Sequence, residues 1–266
     1  MVSPETLRTP LFVPADRPDR FAKAAASGAD AVILDLEDAV APGRKKAARA
    51  ALRSDFTDLP VLVRINATGT PWHEDDLAAL RGLTLGAVIL PKAEDPASVA
   101  AVIRVLGGAT PVMALIESGL GLSRCRAIAA LPGVCRLVFG SIDYCADLGC
   151  EHLREVLLPA RSELVLASRL AGIAAPVDGV TARLDDLSET YEDSLHARAL
   201  GLTGKLCIHP VQIPEVRRAF LPSEAEIDWA RRVMASGDGA VSVDGAMVDA
   251  PVRLRAKSIL AQVAPA

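Results

Sequence analysis

Apolar positions along the chain follow two rhythms. Short continuous runs bounded by turn-forming or charged residues recur at 11–15 (LFVPA), 31–38 (AVILDLED), 61–66 (VLVRIN), 87–92 (AVILPK), 111–118 (PVMALIES), 137–144 (LVFGSIDY), 176–180 (PVDGV) and 205–210 (KLCIHP). Between them lie segments such as RKKAARAALR, DPASVAAVIRVL and LSRCRAIAALP. Their Ala, Leu and Arg content and period of about 3.6 predict amphipathic helices. Continuous apolar runs suit strands covered on both faces, and strand–helix alternation implies a parallel sheet with right-handed crossovers. Eight such units in roughly 210 residues match the count and size of an α/β fold, the (β/α)8 TIM barrel. A doubly wound open sheet is the alternative, because periodicity alone does not show closure.

Past the last run the pattern changes. VQIPEVRRAF predicts the eighth helix, and SEAEIDWARRVMAS a further one opened by a Ser/Glu capping signature. GDGAVSVDGAMVDAP is rich in Gly, Asp and small residues and predicts a turn and short hairpin before a last helix, VRLRAKSIL. The expected organisation is a barrel domain over 1–220 and extra C-terminal helices over 221–266. This surplus segment would act as a lid or as an arm docking on a neighbouring subunit.

Composition narrows the picture. Of 266 residues, 51% are hydrophobic and only 3% aromatic, enough for one large aliphatic core. The 33 acidic and 29 basic residues are interleaved, giving a net charge of -4 and no basic block of the kind that binds nucleic acid. No apolar run approaches the roughly 20 residues that span a bilayer, and the first residues lack a signal core, so a soluble cytoplasmic protein without membrane partners is expected. Cys125, Cys135, Cys145, Cys150 and Cys207 form no CxxC pair. They read as small apolar fillers and not as a disulfide framework or thiolate zinc site.

The chemistry gathers at the ends of the predicted strands, where a parallel barrel places its pocket. Reading only those ends gives Asp35, Glu37 and Asp38, then Arg64 and Asn66, then Lys92, Glu117, Asp143 and His209. Carboxylates crowded at one mouth repel one another, and a hard divalent cation relieves them. Mg2+ fits best, because it needs only one or two protein carboxylates plus substrate oxygens, whereas zinc would call for more His or Cys than His209. Arg64 has the planar fork that grips a carboxylate, and Lys92 adds a second cation. Such a pocket suits a 2-oxo acid and carbon–carbon chemistry through a stabilised enolate.

These residues also carry a resemblance. RTPLFVPADRPDRFAKAAASGADAVILDLEDAV, VLVRIN, VILPKAE, ALIESGLGL, LVFGSIDYCADLG, GKLCIHPVQI and DGAMVDAPVRLRA are, in order and spacing, similar to the citrate lyase beta-subunit-like (CitE-like) proteins of the HpcH/HpaI aldolase superfamily. The resemblance implies a Mg2+-dependent barrel lyase cleaving a citryl-, malyl- or citramalyl-CoA type thioester to an acyl-CoA and a 2-oxo acid such as oxaloacetate, glyoxylate or pyruvate. It implies a homotrimer or a hexamer of trimers. By position it makes Glu117 and Asp143 direct metal ligands, with Glu37 and Asp38 holding metal-bound waters and Asp38 counted among the catalytic group. Arg64 becomes the clamp on the oxo-acid carboxylate, and Lys92 and Glu117 join it in binding substrate. Asp249 becomes the acid that the C-terminal arm sends into a site, often a neighbour's. The glycines at 119 and 121 would bring a helix N-terminus to ligand oxygens, and Arg17, Arg20 and Lys23 are candidates for CoA phosphates. One position departs: Ile142 stands where many relatives carry an acid. The alternatives are a citrate lyase beta subunit that acts only on an acyl carrier protein thioester, an acyl-CoA hydrolase, and a phosphoenolpyruvate-type enzyme. The last is disfavoured because no Gly-rich phosphate loop follows strand 7 or 8.

Overall fold

Eight strands, hydrogen-bonded in chain order and all parallel, build one sheet: β1 (Pro10–Pro14), β2 (Ala31–Asp35), β3 (Val61–Arg64), β4 (Ala87–Leu90), β5 (Val112–Ile116), β6 (Val134–Phe139), β7 (Ala174–Asp178) and β8 (Gly204–Lys205). The structure is a computed structural model that describes residues 3–237 and 241–262. The sheet closes on itself. Phe12 N–H donates to the Cys207 carbonyl and Cys207 N–H to that of Pro10, both at 2.9 Å, joining the extension of β8 to β1.

Helices alternate with these strands. α1 (Phe21–Ala25), α2 (Lys45–Ala50), α3 (His73–Ala79), α4 (Pro96–Val105) and α5 (Gly119–Ala129) follow β1 to β5 in turn. α6 (Ser141–Leu148) and α7 (Arg154–Ala171) both follow β6, α8 (Leu187–Leu200) follows β7, and α9 (Ile213–Phe220) follows β8. The fold is a (β/α)8 TIM barrel. The predicted strand LVFGSIDY is corrected in one respect: the strand ends at Phe139, and Asp143 lies in the first turn of α6.

Burial explains why the strands read as unbroken apolar runs. Every residue of β2, β4 and β5 is buried, one set of alternate positions facing the barrel interior and the other the helices. Ala31, Ile33, Leu62, Ala87, Ile89, Met113, Leu115, Val138 and Val177 pack into one interior cluster. At its amino-terminal end sits Arg136, fully buried, whose guanidinium donates to the Ala175, Pro4 and Leu7 carbonyls and to Thr203 Oγ1. Burial without a carboxylate partner pushes its pKa down to about 10.

The chain divides into two compact units between Arg218 and Ala219. The second contains α10 (Glu224–Ala235), an antiparallel pair β9 (Val241–Val243) and β10 (Ala246–Val248), and α11 (Ala250–Ala261). Asp244 and Gly245 join the pair with φ of 53° and 79°, the left-handed two-residue turn that suits a hairpin. Ala230, Val233, Val248, Ala256 and Ile259 form this unit's own core. Residues 238–240 of the predicted turn lie outside the described residues. Among the described residues no helix is long and apolar enough to cross a membrane.

Candidate active site

Strand periodicity builds the mouth. Continuing the interior series by two residues, from Ile33 to Asp35, from Leu62 to Arg64 and from Leu115 to Glu117, replaces aliphatic side chains with charged ones at the carboxyl ends of β2, β3 and β5. Arg64 Nε and Nη2 donate to Asp35 Oδ1 and Oδ2 at 2.7 and 2.6 Å. The planar fork that the sequence suggested for a substrate carboxylate is therefore taken by Asp35, and Nη1 remains, 3.0 Å from Glu37 Oε2 and 4.0 Å from Asp38. Burial by itself would lower the Arg64 pKa; the surrounding charges of Asp35, Glu37 and Asp38 outweigh it and raise the value. Asp35 also accepts the backbone N–H groups of Glu37 and Ala39, so one carboxylate orients both the guanidinium and the loop that carries Glu37 and Asp38.

Across from Arg64 three carboxylates surround one ammonium. Lys92 Nζ lies 3.3 Å from Asp143, 3.6 Å from Glu37 and 3.9 Å from Glu117. Lys92 directly follows the Leu90–Pro91 end of the fourth run and adopts a left-handed backbone with φ of 46°, an uncommon conformation outside glycine. Its backbone N–H donates to Glu117 Oε1 at 2.8 Å. Burial pushes the Glu117 carboxyl up to about 8, helped by the charge of Glu37. Burial likewise lifts Glu37 to about 7 against the pull of Arg64. Glu37 Oε2 is buried and accepts no hydrogen bond, the Arg64 contact being an ion pair without hydrogen-bond alignment. Gly140 makes this crowding feasible, since a Cβ there would stand 2.4 Å from Glu117 Cβ.

Residues without a predicted role support this cluster. Lys45, nearly fully buried, donates to the Leu36 and Glu37 carbonyls and to Asn66 Oδ1, and Asn66 in turn is held by Asp76. Ser141 lies against Gly179 and bonds His152 Nε2 at 2.9 Å. Asp35 was legible as a strand-end acid, whereas Lys45 and His152 sit in helical or loop segments that carry no strand-end signal.

Several predicted features have other work. Gly119 N–H donates to Asp147 and Gly121 N–H to Ser118 Oγ, so these glycines do not offer those groups to a ligand. His209 caps a short turn by accepting from Val211 N–H. Arg17, Arg20 and Lys23 are exposed, and Arg17 pairs with Asp19. Asp249 belongs to the second unit, where it caps α11 by accepting from Val252 N–H.

The mouth is a cavity of about 280 Å3 with two kinds of wall. Asp35, Asp38, Arg64, Glu117 and Asp143 line one part; Phe12, Pro14, Val180, Ile142 and Ile208 line another. Among the described residues no group of three or more His, Cys, Asp and Glu has the geometry to hold a metal by itself. Glu117 and Asp143 are two oxygen ligands that leave most of an ion's coordination to water and substrate, as Mg2+ sites do.

A closed barrel with acids, an arginine and a lysine at the carboxyl ends of its strands defines a TIM-barrel enzyme built for an anionic, oxygen-rich ligand. The chain belongs to the HpcH/HpaI aldolase/citrate lyase family, whose model matches residues 8–210. It is 43% identical over 261 residues to a citrate lyase subunit beta-like protein of Mycobacterium tuberculosis, covering 94% of this chain and 93% of that one. It is 34% identical over 257 residues to a (3S)-malyl-CoA thioesterase of Cereibacter sphaeroides, covering 91% and 89%. The crystal structure of CitE from Mycobacterium tuberculosis in complex with magnesium, acetoacetate and coenzyme A superposes with a TM-score of 0.88 at 40% identity, covering 98% of this chain and all of that one.

Proposed function

We propose that this protein is a Mg2+-dependent carbon–carbon lyase of the retro-aldol/Claisen type, cleaving a 3-hydroxy-carboxyacyl-CoA such as citramalyl-, malyl- or citryl-CoA into an acyl-CoA and a 2-oxo acid. The observation that carries this reading is the meeting of Glu37, Glu117 and Asp143 opposite Arg64 at the mouth. The residues fit the ion: the donors are hard oxygens, one buried Glu37 oxygen lacks any hydrogen-bond donor, and burial holds two carboxyls above their ordinary range despite Arg64 and Lys92. Glu117 and Asp143 would hold Mg2+ directly, with Glu37 and Asp38 orienting its waters. When bound, the ion supplies Lewis-acid polarisation of the substrate's oxygens.

The protein's own groups do the rest. Arg64, held rigid by Asp35, presents Nη1 to the oxo-acid portion and stabilises negative charge as it builds. Lys92 attracts the same anionic portion. Asp38, which lines the mouth, takes the 3-hydroxyl proton as the carbon–carbon bond breaks, its electron pair passes to the acyl-CoA enolate, and the hydroxyl carbon becomes the carbonyl of the 2-oxo acid. Asp249, supplied by the C-terminal arm of a neighbouring subunit in a homotrimer, protonates the enolate carbon. Phe12, Ile142 and Ile208 shield the reacting carbons from water.

The thioesterase relative favours a second reading, hydrolysis of the same ester, and the products separate the two. Purified protein incubated with each ester, with and without EDTA, should release acyl-CoA and oxo acid only with Mg2+. Free CoA and a hydroxy acid as the sole products would establish the hydrolase instead.

A further inference from the structure

We propose that Lys92 is the site's resident counter-ion: its ammonium neutralises the mouth of the metal-free protein, is displaced when Mg2+ binds, and thereby sets the affinity for the ion. The inference rests on the Mg2+ reading above. Its grounds are geometric. Glu37, Glu117 and Asp143 come from three separate segments, yet all place a carboxylate oxygen 3.3–3.9 Å from Lys92 Nζ. Of these three acids only Asp143 makes a hydrogen bond with it. The ammonium thus sits among the acids instead of pairing closely with one, much as a bound ion would. Its left-handed backbone, tied to Glu117 by the Lys92 N–H, starts the side chain at that spot.

Lys92 and Mg2+ cannot share these oxygens. An ammonium and a dication a few ångströms apart repel strongly at any plausible local dielectric, so the lysine has to leave as the ion arrives. It has room to do so. Lys92 is 46% exposed and lines a neighbouring cavity of about 350 Å3 with Glu37, Asp38, Lys45, Asn66 and Trp72. Its four-carbon stem is flexible enough to swing there. Clear of Glu117 and Asp143, the ammonium keeps Glu37 and Asp38 beside it and faces the approach of an anionic substrate, so the ion binds first and the substrate second.

Two measurements test this, neither of them turnover. In the first, the wild-type protein is treated with acetic anhydride in EDTA and in Mg2+, and acylation of Lys92 is read by mass spectrometry against exposed Lys23. Lys92 should react several-fold faster in Mg2+. In the second, calorimetric titration with Mg2+ alone compares wild type with Lys92→Met and Lys92→Arg. The Met variant should bind about tenfold more tightly, the gain expected from removing a competing ion pair, and the Arg variant should not. Equal or weaker binding by Lys92→Met, or Lys92 reactivity indifferent to Mg2+, overturns the inference while leaving the lyase reading intact. A wild-type protein that takes up no Mg2+ overturns both.

Discussion

The barrel holds two charged clusters near the carboxyl ends of its strands, one inside the sheet and one outside it, and they are opposites. Outside, between the sheet and the helices, Asp178 receives Arg161 Nε at 2.8 Å and Lys205 Nζ at 3.0 Å, and all three side chains are essentially buried. Burial would raise the Asp178 pKa, but Lys205 and Arg161 outweigh it and hold the carboxyl below its ordinary range. Inside, at the mouth, burial wins: Glu37 and Glu117 rise to about 7 and about 8 despite Arg64 and Lys92. The outer cluster has one acid for two bases. The inner one has more acid than its cations satisfy. A carboxylate that the protein itself supplies with cations serves the fold, and carboxylates left short of positive charge are built for something that arrives from outside.

The largest expected effect breaks the inner cluster chemically without breaking the fold. Glu117→Gln should lower turnover by at least about 10³-fold, since it removes a proposed ligand to the ion on which charge stabilisation depends. In EDTA the same variant should melt no lower than wild type, because a buried acid held above its ordinary pKa opposes folding of the metal-free protein when ionised. Thermal unfolding beside the assay checks both halves, and a variant that unfolds would assign Glu117 to the scaffold.

Asp178→Asn should behave in the reverse way. Two buried cations would lose their charge partner, costing about 3–5 kcal/mol of stability. Turnover per folded molecule should stay within a few-fold of wild type, because the triad faces away from the mouth. Urea unfolding read with kinetics on the soluble fraction tests this. An intact stability curve with lost activity would move Asp178 into the site.

Arg64 belongs to both descriptions, being paired with Asp35 and facing the mouth. Arg64→Lys keeps the charge but not the fork that locks onto Asp35, so turnover should fall by about 10²-fold, short of the loss in Glu117→Gln. A lysine variant with wild-type turnover would show that charge alone suffices and that the Asp35 clamp is dispensable.

How far these clusters were visible in the sequence follows from the same difference. Asp35, Arg64 and Glu117 each end a strand, two residues beyond an interior aliphatic position, so a period-two pattern exposes them. The eight runs and their alternation with helices likewise disclosed the barrel, because strands buried on both faces cannot break their apolar run. Asp143 is legible but its helix is not, since in LVFGSIDY only Gly140 and Ser141 separate the strand's apolar run from Ile142, too short an interruption to mark where α6 begins. Asp178, Lys205 and Arg161 are not legible as a cluster. Their partners lie 17 and 27 residues apart on different elements, and only the packed helix–sheet interface brings them together. The occupied fork of Arg64 was equally hidden, because a residue's type does not reveal which neighbour has already claimed its hydrogen bonds.

Acid provides the smallest and most selective contrast. Because the Asp178 pKa is depressed in the folded protein, its contribution to stability is complete above the unfolded value of about 3.9 and is lost as the pH falls through the lower folded value. Asp178→Asn cannot lose what it lacks. The stability gap between wild type and variant should therefore hold steady from pH 7 to about 5 and narrow only below about 4, as urea midpoints at pH 7, 5 and 3 would show. Taking the difference cancels every other carboxylate that titrates in the same range, which a single acid denaturation curve does not. A gap that instead widens as the pH falls from 7 to 5 would mean that Asp178 takes up a proton in the folded protein and is held above its ordinary pKa, as Glu117 is, and the two clusters would no longer be opposites.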